Sequence, residues 1–277
     1  MQIPKSNNVK NSFDLITAKW WFIVLVPLII LFFPPYMQRN YSLTDFSKWY
    51  ETIGVIAENN FTYFFDRYSV LMNSIAILFI VLVFILKNKF SRIFSIYLAI
   101  LAIFHGITQN TSFTEQNGLG IILSSYIVFP ILAGIWIWEA FVNKNNFETP
   151  PKINFWTISA LSISLFAFWN PINQTTLMPD FKPVYFFANG GNSMFCTMTP
   201  LILAILFFFY PNVNFAVLRV TGVVGSTIGF IQVAQHLFMF TSTNWWIGVL
   251  HIPVFVLSLA ALILSYKTNN KLGASSS

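Results

Sequence analysis

Apolar residues fall along this chain in eight stretches, each about the 17–25 residues that a helix needs to cross a lipid bilayer, with polar residues gathered in the gaps. The stretches run roughly from Trp20 to Tyr36, Ser69 to Lys87, Ile93 to Asn110, Leu119 to Val142, Ile153 to Ile172, Met194 to Tyr210, Asn214 to Phe240 and Asn244 to Tyr266. None shows the apolar/polar alternation of a barrel strand, so helices are the predicted spanning structure. The expected fold class is all-α: a polytopic integral membrane protein with eight transmembrane helices.

The pattern is written twice. "FFPPY" closing the first stretch answers "FWNPI" closing the fifth, "IFHGITQN" in the third answers "GFIQVAQH" in the seventh, and "YIVFPILAGIWIW" in the fourth answers "LHIPVFVLSLAAL" in the eighth. Tandem duplication of a four-helix unit gives two parallel repeats. Residues 1–150 are expected to form the first, including an amphipathic outer loop, and 151–267 the second, with 268–277 a disordered tail. In that outer loop Phe46, Trp49, Tyr50, Ile53 and Ile56 recur at helical spacing between charged residues, which predicts a helix lying in the membrane interface.

Composition agrees with lipid as the solvent: 56% of the residues are hydrophobic, 9% are charged, and 32 are Phe. The formal charge of +6 would suggest nucleic acid for a soluble chain. Here Lys and Arg crowd alternate loops, so they are read as topology determinants and no nucleic-acid partner is expected. Both termini are placed in the cytoplasm, in a multi-pass cell-membrane protein, with the loops around 37–68, 111–118, 173–193 and 241–243 outside. Glu139 and Arg219 are expected at the cytoplasmic boundary, Arg219 snorkelling, with Trp136 and Trp138 in the aromatic belt. The single cysteine excludes an intrachain disulfide and any CxxC motif.

Polar groups inside apolar spans are costly, so the chemistry is sought among them. His105, Gln109, Gln232, Gln235 and His236 fall at similar depth in the outer half and predict a polar pocket. Gly222, Gly225 and Gly229 lead to Gln232 and His236 at steps of three or four, so that face should meet a neighbouring helix closely. A second group joins Cys196 and Thr199 in the sixth span with His251 in the eighth. An imidazole within reach of a thiol or hydroxyl makes an activated nucleophile, and Thr199 is expected closer in depth to His251 than Cys196 is. No HxxxH or HExxH pair marks a metal site, no cofactor is indicated, and whether the three histidines hold a metal or haem is left open.

The stretches "MFCTMTPLILAILFFF", "GVVGSTIGFIQ" and "LHIPVFVLSLAAL" resemble the cysteine, glycine-rich and histidine helices of YwaF-type bacterial membrane proteins. Those are similar to the androgen-induced family of intramembrane lipid hydrolases, which pair a threonine with a histidine. The resemblance covers the second half and implies lipid ester hydrolysis or acyl transfer, with Cys196 or Thr199 as nucleophile and His251 as base. Asn73 and Val128 stand where the first half would carry a second Cys and His. Three classes stay open: an intramembrane hydrolase or acyltransferase, a transporter or binding protein for a neutral or lipidic small molecule, and a non-catalytic subunit of a larger membrane complex. Membrane lipids are the expected partners in all three, joined in the last by a protein.

Overall fold

A computed structural model describes residues 13–239 and 241–274, the side chains of 241–243 and 267–274 excepted. It is mostly helical. Among the described residues the predominantly apolar helices are α1 (Trp20–Phe32), α3 (Ser69–Leu86), α4 (Asn88–Thr108), α5 (Leu123–Val142), α6 (Phe155–Trp169), α7 (Phe195–Phe209), α8 (Phe215–Ala234) and α9 (Thr241–Ala274, kinked at Asn244). A further helix, α2 (Phe46–Glu58), lies between α1 and α3. Among the described residues five segments are long and apolar enough to cross a membrane, those of α3, α4, α5, α8 and α9, whereas α1, α6 and α7 are shorter apolar helices.

Asparagine supplies much of the punctuation. Asn154 and Thr157 close a capping box that starts α6, and the Asn214 side chain accepts from the Ala216 N–H at the start of α8. Asn143 and Asn170 end α5 and α6 in the left-handed region, at φ 51° and 49°, a conformation that Asn tolerates better than most residues because its short side chain bonds locally. Pro34 and Pro35 follow the end of α1, so the chain past Phe33 is extended rather than helical, and Tyr36–Met37 becomes strand β1.

The loop expected around 111–118 is instead a β-hairpin of β2 (Thr111–Thr114) and β3 (Gly118–Ile121), with β1 on the far side of β3. α5 accordingly begins at Leu123, not Leu119. Gly118 turns the hairpin at φ 69°, where a side chain would be strained. The helix predicted from the 46–56 periodicity is present as α2, but it buries Thr52 and Ile56 and leaves Phe46 and Tyr50 exposed. A methyl group on Gly120 would stand 2.8 Å from Ile56, so α2 packs on the sheet rather than lying free.

The opposite end is knitted by buried polar side chains. Arg219, expected to snorkel, is 0% exposed; its Nη1 donates to Thr17 Oγ1 at 2.8 Å and its guanidinium lies 4.9 Å from the Tyr266 ring centroid. Lys144 pairs with Asp14. Glu139 is 1% exposed and accepts from Asn145 N–H at 2.7 Å and Asn214 Nδ2 at 2.5 Å. Trp136 and Trp138 are buried too, so neither sits in an aromatic belt: the end of α5 faces the bundle. α9 stays helical to Ala274, through residues expected to be a disordered tail, there being no glycine or proline between Tyr266 and Gly273 to stop it; residues 275–277 lie outside the described residues.

α7 is the hub, with every residue buried except Cys196. A helix apolar on all sides belongs inside a bundle. The glycine face of α8 lies on α9 as the spacing predicts: a methyl on Gly222 would meet the Leu262 backbone at 2.9 Å, and one on Gly229 the Phe255 backbone at 2.7 Å.

Candidate functional site

The polar groups of the sheet end converge on one stretch of backbone, Asn189 to Ser193, which is buried between the helices. Non-helical backbone this deep must have its N–H and C=O groups satisfied by protein. Asn73 supplies both kinds of bond: its Oδ1 accepts from Asn192 N–H at 2.7 Å, and its Nδ2 donates to the carbonyls of Asn189 at 2.8 Å and Phe187 at 3.1 Å. Gln109 donates to the Ser193 carbonyl at 3.1 Å, Thr197 to the Gly191 carbonyl, and Tyr97 to the Asn192 side chain at 3.0 Å. Gly191 is required because a Cβ there would meet the Phe168 carbonyl at 2.8 Å.

His105 belongs to the same network. Its Nε2 lies 2.9 Å from the Asn192 carbonyl. A carbonyl only accepts, so Nε2 carries the proton and Nδ1 keeps its lone pair. The ring is 3% exposed and stacks edge-on against Phe195, centroids 6.3 Å apart.

Below this loop lies a cavity of about 20 Å³ among α4, α5, α7 and α8, lined by His105, Thr199, Thr221, Trp136 and Phe195 together with leucine, alanine and isoleucine side chains. Thr199 and Thr221 are each 2% exposed, and among the described residues the Thr221 hydroxyl has no hydrogen-bond partner. The cavity wall therefore carries an imidazole and two hydroxyl-bearing residues, in otherwise apolar surroundings.

The expected pairing of Thr199 with His251 does not form. A methyl on Gly225 would overlap Ser258 Oγ and stand 3.4 Å from Thr199 Cγ2. Thr199 is thus level with Ser258, about 10 Å along α9 from His251 at 1.5 Å per residue. Cys196, one turn nearer the sheet end, is closer in depth to His251 than Thr199 is, the reverse of the expectation. The reason is that α7 starts beneath the buried 189–193 segment rather than at the surface, which sinks Thr199. His251 Nδ1 bonds its own helix, donating to the Ile247 carbonyl at 2.7 Å, and among the described residues no hydrogen bond joins it to Cys196 or Thr199.

Nor do His105, Gln109, Gln232, Gln235 and His236 line one pocket. The first two hold the buried loop from α4. Gln232 lies in the last turn of α8, and Gln235 and His236 in the π-helical turn over Gln235–Met239 that follows it. His236 packs against Gly248, where a methyl would stand 3.1 Å from its Cβ, and its Nδ1 is buried without a partner among the described residues. Similar depth does not mean a shared face, and these residues belong to helices that meet different neighbours.

Asn73, Asn189, Asn192 and Thr221 were not visible as site residues in the sequence. The Asn-Gly-Gly-Asn run was the available signal for the buried loop; Thr221 carried none beyond its place beside Gly222. Among the described residues no three His, Cys, Asp or Glu side chains cluster as a metal centre would require. The geometry defines a helical protein with a small polar centre inside its bundle. No family model, curated protein or solved structure matches the chain.

Proposed function

We propose that this chain is an eight-span integral membrane protein built from two parallel four-helix halves, and that Thr199 and His105 form the reactive centre of an intramembrane lipid ester hydrolase or acyltransferase. Support for eight spans comes from the alternation of all eight helices between the two polar ends, and from α7 being enclosed by protein, so that its length need not match the bilayer. Lys87, Lys89, Arg92, Lys144, Lys152 and Arg219 fall at one end, against Arg39, Lys48, Arg67 and Lys182 at the other, which favours both termini in the cytoplasm. The two halves share helix contacts: α4 lies along α5 as α8 lies along α9, α3 meets α4 as α7 meets α8, and α1 meets α5 as α6 meets α9.

The observation that carries the catalytic reading is the fixed tautomer of His105 together with the place of His105 and Thr199 on the wall of one cavity. An oriented imidazole, with its other nitrogen held by a backbone acceptor, is the base that a hydroxyl nucleophile requires. Thr199 Oγ1 would attack the ester carbonyl carbon while its proton passes to His105 Nδ1. The tetrahedral intermediate would then expel the alcohol, which takes that proton as it leaves, and an acyl–Thr199 ester remains. His251 has no part in this centre, and Cys196 does not line the cavity.

A fluorophosphonate probe on the purified chain in nanodiscs tests this. Labelling should map to Thr199 by mass spectrometry and vanish in Thr199→Val, which keeps the volume and packing of the side chain. Labelling that persists in a folded Thr199→Val protein would overturn the assignment. A second reading, a non-catalytic membrane subunit, is favoured by the commitment of Asn73, Tyr97, Gln109 and His105 Nε2 to the buried loop; it expects no labelling at all.

A further inference from the structure

We infer that His236 and His251 form a two-coordinate site for a soft monovalent metal ion, Cu(I), at the sheet end of the interface between α8 and α9. The site stands apart from the Thr199 centre and does not depend on it. Register brings the two histidines together. A methyl on Gly225 would meet Ser258 Oγ, one on Gly229 the Phe255 backbone at 2.7 Å, and one on Gly248 the His236 Cβ at 3.1 Å, so α8 and α9 run antiparallel and in contact along this length. Gly248 and His251 are three residues apart on α9, which puts their β-positions about 5–6 Å from one another on one face. The Cβ atoms of the two histidines are therefore within about 9 Å, a gap that two imidazole rings and two metal–nitrogen bonds of about 2 Å can span. The rings are near enough for a charge on His236 to act on His251.

Each ring offers a lone pair that the protein leaves unused. His251 Nδ1 donates to the Ile247 carbonyl at 2.7 Å, so the lone pair is on Nε2, which has no hydrogen-bond partner among the described residues. A ring N–H held by a backbone carbonyl is the support that a metal-ligating histidine ordinarily has. His236 Nδ1 is buried, also without a partner among the described residues, and a buried polar atom left unpaired is costly. His236 further sits in the π-helical turn over Gln235–Met239. Such turns are rare and are frequent at functional sites.

The ligand set selects the ion. Among the described residues no Asp, Glu, Cys or third His joins the pair, so both ligands are neutral. A divalent ion would bring its whole charge into apolar surroundings and lack the four ligands of a zinc site. Cu(I) carries half that charge, and two imidazole nitrogens in line satisfy it. A haem has no slot here, since α8 and α9 touch at Gly229 and again at Gly248. Binding displaces no proton: His236 keeps its own on Nε2 and His251 on Nδ1.

The test is titration of the full chain in nanodiscs with Cu(I), under anaerobic reducing conditions, against a chromophoric Cu(I) chelator, with X-ray absorption of the loaded protein. Wild type should take up one equivalent, with two nitrogen ligands and no sulfur in its spectrum. His236→Leu and His251→Leu should each weaken binding by about 100-fold or more, since loss of even an outer-shell partner costs about 10–100-fold. Cys196→Ser should bind as wild type does. Cu(I) should raise the melting temperature of wild type and of Cys196→Ser and leave that of the two leucine variants unchanged. Should both leucine variants fail to fold, His251→Met answers instead: its thioether is a soft ligand, so a copper–sulfur bond absent from wild type should appear. Wild type without stoichiometric uptake, uptake that survives in a folded leucine variant, uptake lost in Cys196→Ser, Zn2+ displacing the bound ion, or no copper–sulfur bond in His251→Met would each overturn the inference.

Discussion

Asn73 and Asn192, 119 residues apart in sequence, are bound side chain to backbone at 2.7 Å. Asn73 also donates to carbonyls of the same segment, so one amide group satisfies both polarities of backbone that would otherwise be buried unpaired. Asn73→Ala should be among the most destabilising single polar substitutions at this end, since each buried group left unpaired costs about 1–3 kcal/mol. Asn73→Asp should be at least as harmful, because it sets a carboxylate against the carbonyls of Phe187 and Asn189. Thermal unfolding in detergent measures both, and a wild-type melting temperature for either would show that the loop is held by other means.

The glycines of α8 separate from a glycine that merely sits in a helix. Gly222→Ala must push on the Leu262 backbone, 2.9 Å away, and should cost about 1–3 kcal/mol as overpacking. Gly134 has nothing within 4 Å of its missing side chain, so Gly134→Ala should be neutral or stabilising by up to about 1 kcal/mol. Equal effects at the two positions would contradict the close approach of α8 to α9.

The segment before α1 is tied down by Arg219, Tyr266 and Lys144. Arg219 Nη1 donates to Thr17, Tyr266 Oη donates to the Thr17 carbonyl at 3.3 Å, and Lys144 pairs with Asp14. Arg219→Lys should not rescue this, because a single ammonium cannot span both Thr17 and the Ser265 carbonyl, which Nη2 reaches at 3.4 Å. Limited proteolysis should cut residues 13–19 faster in Arg219→Lys and Arg219→Met than in wild type.

Acid should loosen one exposed loop without unfolding the bundle. Asp180 accepts from Tyr185 Oη at 2.6 Å and pairs with Lys182 at 2.9 Å; the Tyr185 hydrogen bond first, then Lys182, holds its carboxyl below the ordinary carboxylate value. A depressed value means the contribution is full above the unfolded pKa, roughly 4, and is lost as pH falls through the lower folded value. Trp169, whose indole donates to the Lys182 carbonyl at 3.0 Å, should report the change in fluorescence once the Trp169→Phe signal is subtracted. Asp180→Asn should show the loosened signal already at neutral pH. A wild-type signal that does not change in acid would leave the cluster without weight in holding the loop.

Much of the helical framework is legible in the sequence. Runs of apolar residues mark the helices because lipid and protein interior both exclude unpaired backbone. The three-to-four spacing of Gly222, Gly225 and Gly229 marks the face that meets α9, and α2 shows in the spacing of Phe46, Tyr50 and Ile53. The hairpin of β2 and β3 was not legible, being only two four-residue strands whose pairing depends on α2 covering Gly120.

The order of residues therefore settles the identity of the helices and the face each polar residue occupies on its own helix. Which polar residues meet is settled by packing. Periodicity fixes an angle around one helix axis but not the height of that helix against its neighbours. Here the height of α7 is set by the buried Asn189–Ser193 backbone above it, held by Asn73 from a helix more than a hundred residues earlier. That contact lowers Thr199 away from His251 and puts it on the cavity that His105 and Thr221 also line.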